Sequence, residues 1–302
     1  MLPIALALMA ATSWGFSAVL VRKGLRDLST QTGTLISLTA GLIVTAVLVV
    51  IFQFRELTSV TPMTVAAFAV IGILNFPMGR FFNYLAMGRL GVGRSTPLLA
   101  SAPLFAVLLA IVVTHETIHL GTVAGIGLIV AGLYVTVMAP AVTAPAAIGD
   151  GSSARKGMLI GVGFALIAAM SYGTSQVLTR YVVSGAGVAV SPLVGSFIAL
   201  FWGTLGVSLL SIRGLSQPAP NFRRGALYFA AGGIFSAGGI MLLFQALSRG
   251  TVVVVSPIAA TNPLFTLFFA ALLLRGVERI TARIVVGAVL VVIGVVVLSV
   301  YR

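Results

Sequence analysis

Arg80 stands in an apolar stretch together with Asn75, Asn83 and Tyr84. A guanidinium in such a place does one kind of chemistry well, which is to hold a carboxylate or the dipole of a broken helix. It lies about two turns, ~10 Å, before the end of the stretch, from where a long side chain can also snorkel outward or join a structural pair. Trp14 and Tyr172 sit mid-way along two other apolar stretches, with Thr12 and Gln176 close by. Aromatic rings there wall a cavity for a small apolar or aromatic solute, or else pack against neighbouring helices. A constant-offset alignment sets Asn75, Phe76, Asn83 and Tyr84 opposite Phe235, Ser236, Leu243 and Phe244, with Gln245 adjacent. Ser101 and Asn262 accompany Pro97, Pro103, Pro257 and Pro263. Proline frees a carbonyl one turn earlier, and that oxygen binds a cation or ammonium group, takes a hydroxyl from a neighbour, or marks a kink. The expected substrate-binding set is therefore Trp14, Asn75, Arg80, Asn83, Tyr84, Ser101, Tyr172, Gln176, Phe235, Gln245 and Asn262, with the four prolines as kinks or gates.

What is missing narrows the chemistry further. The five acids, Asp27, Glu56, Glu116, Asp150 and Glu278, all fall in predicted loops, and His115 and His119 share one turn. No carboxylate is placed to carry a proton through an apolar interior, so movement down a gradient is expected over tight proton antiport. The same shortage leaves no acid, base or ligand set for a hydrolase or a metal enzyme, and there is no cysteine and no intact nucleotide fingerprint. Neither a cofactor nor an enzymatic activity is expected.

The elements that must position these residues are ten apolar segments, at about 2–21, 33–52, 64–87, 92–113, 121–139, 158–179, 188–211, 225–247, 252–274 and 282–300. Each has the roughly 17 to 25 residues needed to cross hydrocarbon. With 59% hydrophobic and 8% charged residues and a mean hydropathy of +1.17, the chain lacks the charged surface of a soluble domain. The net charge of +13 is spread singly and in twos and threes between the segments. That spacing suits anionic lipid headgroups and argues against nucleic acid. The first stretch has no basic leader and reads as the first span, not a removed signal. Residues 140–156, rich in Ala, Pro, Gly and Ser, read as a linker.

The chain also repeats itself. At an offset of 160, Arg89, Pro97, Ala100, Pro103 and Leu104 recur as Arg249, Pro257, Ala260, Pro263 and Leu264. At 158, AATSWGFSAVLVR of residues 10–22 recurs as AAMSYGTSQVLTR, setting Trp14 opposite Tyr172. At 162, Glu116, Gly125 and Gly132 recur as Glu278, Gly287 and Gly294. Five spans per half is an odd number, so the halves enter the membrane with opposite polarity. The expectation is an all-α polytopic integral membrane protein, ten transmembrane helices as two inverted five-helix repeats (2–139 and 157–300), working by alternating access. The late glycines of each half read as close helix contacts, within a monomer or across a homodimer. Most basic residues follow odd-numbered segments, which by the positive-inside rule places both termini outside the cytoplasm.

The Trp14-Gly15 pair, Arg89 with the Pro97 and Pro103 helix, Glu116 before GTVAGIGLIVAG, and the second-half set Arg249, Pro257, Pro263, Glu278, Gly287 and Gly294 resemble the drug/metabolite transporter superfamily. Within it the likeness is to ten-helix proteins built from two EamA domains, over about residues 2–300. The resemblance implies cytoplasmic termini, against the loop charges, and export of amino acids and related metabolites, aromatic ones among them, across a bacterial-type inner membrane. A zwitterion would then lie between polar helix ends, its side chain against Trp14 and Tyr172. His115-Glu116 and the stretched Arg275-Gly276-Val277-Glu278 depart from the family's Gly-Glu, and Trp14 stands where small multidrug-resistance relatives carry an acid. The alternatives are a proton-coupled exporter of organic cations, an exchanger of nucleotide sugars or phosphorylated metabolites, and a non-transporting membrane scaffold.

Overall fold

The computed structural model describes residues 2–58, 60–105, 109, 120–139, 151–185, 190–211, 221–247, 249, 255, 258–274 and 280–300. Among these there is no strand, and each of the ten apolar segments has a helix in its place: α1 Leu2–Gly24, α2 Thr30–Phe52, α3 Pro62–Leu90, α4 Val92–Leu99, α5 Leu120–Val137, α6 Gly151–Gly185, α7 Pro192–Ser211, α8 Phe222–Leu247, α9 Asn262–Leu273 and α10 Ala282–Val300. Six of them are long and apolar enough to cross a membrane, and α5, α9 and α10 contribute shorter apolar helices. Large apolar side chains such as Ile51, Leu209, Leu227 and Phe268 are exposed, as a lipid-facing surface requires. α6 begins earlier than its apolar core, so residues 151–156 of the expected linker are helical. Once a long helix has formed, extending it by a turn is cheap compared with nucleating it.

Local sequence sets the helix ends. Ser29 caps α2 by accepting from the Thr32 amide, and Thr61 caps α3 by accepting from the Thr64 amide just ahead of Pro62. Gly91, at φ 78°, makes the tight break between α3 and α4 that a side-chain-bearing residue would resist. Basic side chains serve the opposite ends: Arg22 Nη1 donates to the Met87 carbonyl at 3.0 Å, and Arg94 donates to the Ala139 carbonyl beyond α5.

The helices pair in a regular pattern. α1 packs on α8 and α9, while α6 packs on α3 and α4; α2 packs on α7 and α8, while α7 packs on α2 and α3; α5 packs on α10, and α4 on α9. Exchanging every helix for the one five places away leaves this set of pairs unchanged. Between apolar helices in lipid the attraction comes from close packing, and glycines supply the closeness. Phe229 of α8 lies on Gly33 of α2, and Phe68 of α3 lies on Gly195 of α7. Gly233 faces the Ser37 backbone, and Gly72 faces the Ala199 backbone. The late glycines meet inside the chain, Gly132 against Gly287 and Gly294 against the Gly125 carbonyl.

Candidate functional site

α3 is not a uniform α-helix. Leu74–Arg80 is a π-helix containing Pro77, and the Phe81 amide reaches back five residues to the Phe76 carbonyl. Proline cannot bond to the preceding turn, and a widened turn makes room for its ring. The repeat explains why the irregularity is on one side only. Phe68 and Phe229, and Gly72 and Gly233, stand in matching contacts 161 residues apart, whereas Gly79 and Gly239 do so at 160. The first half therefore carries one extra residue between these points, and the π turn absorbs it. Ser171 Oγ donates to the Leu74 carbonyl at 2.6 Å, the counterpart of Ser13 Oγ donating to the Phe235 carbonyl at 2.7 Å.

Around this turn α1, α3, α6 and α8 meet. The Trp14 indole lies on Gly239 and donates from Nε1 to the Ser236 carbonyl at 3.2 Å, while the Tyr172 ring lies on Gly79. Each first-helix aromatic thus rests on the third-helix glycine of the other half. Arg80 does not snorkel. It is 4% exposed, its guanidinium carbon stands 4.9 Å from the centre of the Phe76 ring, and its Nη2 donates to Ser236 Oγ at 2.7 Å. Tyr172 reaches the side chains of both Arg80 and Asn83. Arg80 Nη1 and Asn83 Oδ1 are buried with no partner. No acid among the described residues approaches Arg80: Asp27 faces Arg224 at 3.7 Å, and Glu56 accepts from the Ser191 amide.

Of the expected binding residues, Trp14, Arg80, Asn83 and Tyr172 come together here. Asn75 is half-buried on the π turn. Tyr84 is core, its ring 5.9 Å from Phe229 and its hydroxyl 3.1 Å from Ser37 Oγ. Phe235 is 42% exposed, edge-on to Phe16 at 4.8 Å, and turns away from the cluster. Gln245 accepts from Arg249 at 2.8 Å, nine residues or ~13 Å beyond Ser236 along α8. Asn262 accepts from Thr266 Oγ1 at 3.1 Å within α9. The side chain of Gln176 and all of Pro257 lie outside the described residues.

The proline helices break alike. α4 stops at Leu99, turns at Ala100 and Ser101, and resumes through Pro103; α9 starts after the same turn at Ala260 and Thr261, with Pro263 in its first turn. Ser101 Oγ donates to the Leu98 carbonyl and Thr261 Oγ1 to the Ile258 carbonyl, both at 2.6 Å. Ser101 is thus occupied by the preceding turn, and Pro97, one turn earlier, is buried inside α4. Ser236, Phe76, Gly79 and Gly239 also belong to the site although they are outside the expected set. The recurrence of Gly79 and Gly239 at the offset of the proline helices was the available signal.

A bundle of apolar helices enclosing a polar, cationic centre is a multi-pass membrane protein. The chain belongs to the EamA-like transporter family, whose model matches residues 1–138 and again 159–300, and it is a membrane transporter. An uncharacterized transporter of Archaeoglobus fulgidus is 25% identical over 304 residues, spanning 99% of this chain and 98% of that one. A solved crystal structure aligns over 98% of this chain and 95% of its own with a TM-score of 0.62 at 16% identity, a likeness of fold alone.

Proposed function

We propose that this transporter exports small carboxylate-bearing metabolites, amino acids first among them, aromatic and other neutral ones included, across a bacterial-type inner membrane. It works by alternating access between two inverted five-helix repeats, 2–139 and 157–300, and needs no ion gradient. The observation that carries the reading is Arg80, a buried cation with a free Nη1 and no acid near it among the described residues. An uncompensated charge is costly in such a place, and a substrate carboxylate supplies the missing partner. The exchange symmetry of the helix pairs supports rocking of one half against the other. Phosphorylated solutes call for several converging cations, and organic cations for an acid; the cluster offers neither.

Counterflow of radiolabelled amino acids into sealed liposomes containing the purified protein, with no imposed pH or sodium gradient, tests the reading. Saturable exchange is expected. Exchange only under a pH gradient would overturn the uncoupled mechanism, and no exchange by folded protein would overturn the amino-acid assignment.

A further inference from the structure

We propose that Arg80 and Asn83 together read the carbon next to the substrate carboxylate, Arg80 taking the carboxylate and Asn83 the substituent on that carbon. The inference rests on the reading of the chain as a carrier of carboxylate-bearing solutes and names what such a solute must also possess. The two residues are three apart on one helix face, a spacing that sets Cβ atoms ~5–6 Å from each other. They are 4% and 7% exposed. Each offers one unused atom of opposite character: Nη1 of Arg80 is a charged donor, and Oδ1 of Asn83 is a neutral acceptor. Tyr172 touches both side chains and so marks the face they share.

The chemical complement of a donor cation beside a neutral acceptor is a carboxylate with a hydrogen-bond donor one carbon away. An α-ammonium group and an α-hydroxyl group both satisfy this, and a simple carboxylic acid does not. A free metal cation is excluded from the Asn83 oxygen by the guanidinium one turn back. An ammonium group arrives there only because the carboxylate on the same molecule neutralises Arg80. A site built around a hydrogen bond rejects the analogue that lacks it, because its own acceptor is then left buried and unpaired. Asn83 is accordingly a specificity-determining residue, distinct from Arg80, which secures binding of any carboxylate.

The test is competition in counterflow of labelled leucine and labelled phenylalanine, each challenged by the α-amino, α-hydroxy and α-unsubstituted acids of its own carbon skeleton. For the wild-type protein the unsubstituted acid is expected to compete at least about tenfold more weakly than the other two. In Asn83→Leu and Asn83→Ala the three acids should fall within about twofold of one another, with exchange weakened but present, since the acceptor that tells them apart is gone. Arg80→Met should lose all three alike. An unsubstituted acid that competes with wild type as well as the amino acid does would overturn the inference. So would Asn83 variants that keep the wild-type ratio, and either result leaves the carrier reading standing. Absence of all amino-acid exchange by wild type would instead sink the carrier reading and this inference with it. If neither Asn83 variant folds, the wild-type ratio decides alone.

Discussion

Arg80→Met is expected to reduce counterflow at least about 30-fold with little change in thermal stability, because a charge-assisted bond to a buried carboxylate contributes on the order of 2–3 kcal/mol to binding alone. The methionine keeps an apolar stem beside Phe76 and removes the guanidinium, which stands 4.9 Å from that ring. Two effects then act in opposite directions. Stability loses the bond to Ser236 Oγ, ~1.5–3 kcal/mol for a donor carrying charge, and the desolvated cation–π contact with Phe76, ~2 kcal/mol. It gains relief from burying an unpaired cation, for which a helix-centre cost of ~2.5–3.5 kcal/mol is a low estimate. Gain and loss are of the same size, so the melting temperature of the detergent-solubilised protein is expected to change little. Transport has no such compensation, because nothing else described near the site supplies a cation. Arg80→Lys should fall between, since an ammonium lacks the planar fork and reaches less far. A variant that fails to insert would assign Arg80 a structural role, and undiminished exchange would remove it from the site.

The ten segments, the repeat and the central Arg80, Trp14 and Tyr172 were legible because they depend on residue type and spacing alone. The facing of individual side chains was not. In lipid the outside of a bundle is as apolar as its inside, so hydropathy gives no helical period with which to separate Phe235, which faces outward, from Phe76, which packs under Arg80. Alignment at a constant offset made this worse. It paired Asn75 with Phe235, whereas the contacts before the π turn run at 161 and pair Asn75 with Ser236. The extra residue is visible only once Phe68, Gly72 and Gly79 are seen against their partners. Gln245, Asn262 and Ser101 illustrate a different gap. Their types require a hydrogen-bond partner inside a membrane, but a partner three or four residues away along the chain satisfies that need as well as a solute does.

The glycine seams carry the largest expected effect on stability. A Cβ added at Gly233 would stand 2.0 Å from the Ser37 carbonyl oxygen, and one at Gly72 would stand 2.2 Å from the Ala199 carbonyl oxygen. Both obstacles are backbone, so no rotamer change relieves them, and α8 must move off α2, or α7 off α3. Opening a seam forfeits contacts along its length, and Gly72→Ala and Gly233→Ala are each expected to cost at least about 2 kcal/mol, measured by thermal or chemical denaturation in detergent. Gly33→Ala should be milder, although its Cβ would come within 2.1 Å of the Phe229 ring, because the obstacle there is the tip of a side chain. Gly163→Ala and Gly127→Ala meet nothing within 4 Å and should be neutral, or stabilising by up to ~1 kcal/mol through helix propensity. If Gly72→Ala proves as stable as Gly163→Ala, close backbone contact between α3 and α7 is not what holds this seam. The comparison of Gly72 with Gly233 goes further. The two residues occupy matching places in seams that join the halves, one against α7 and the other against α2. Equal losses would mean that both seams are held with the same strength, as a carrier that rocks about its pseudo-symmetry axis requires. A loss confined to one would mean that the two seams, although at matching places, are unequally packed, so that one is the tight hinge and the other the looser contact.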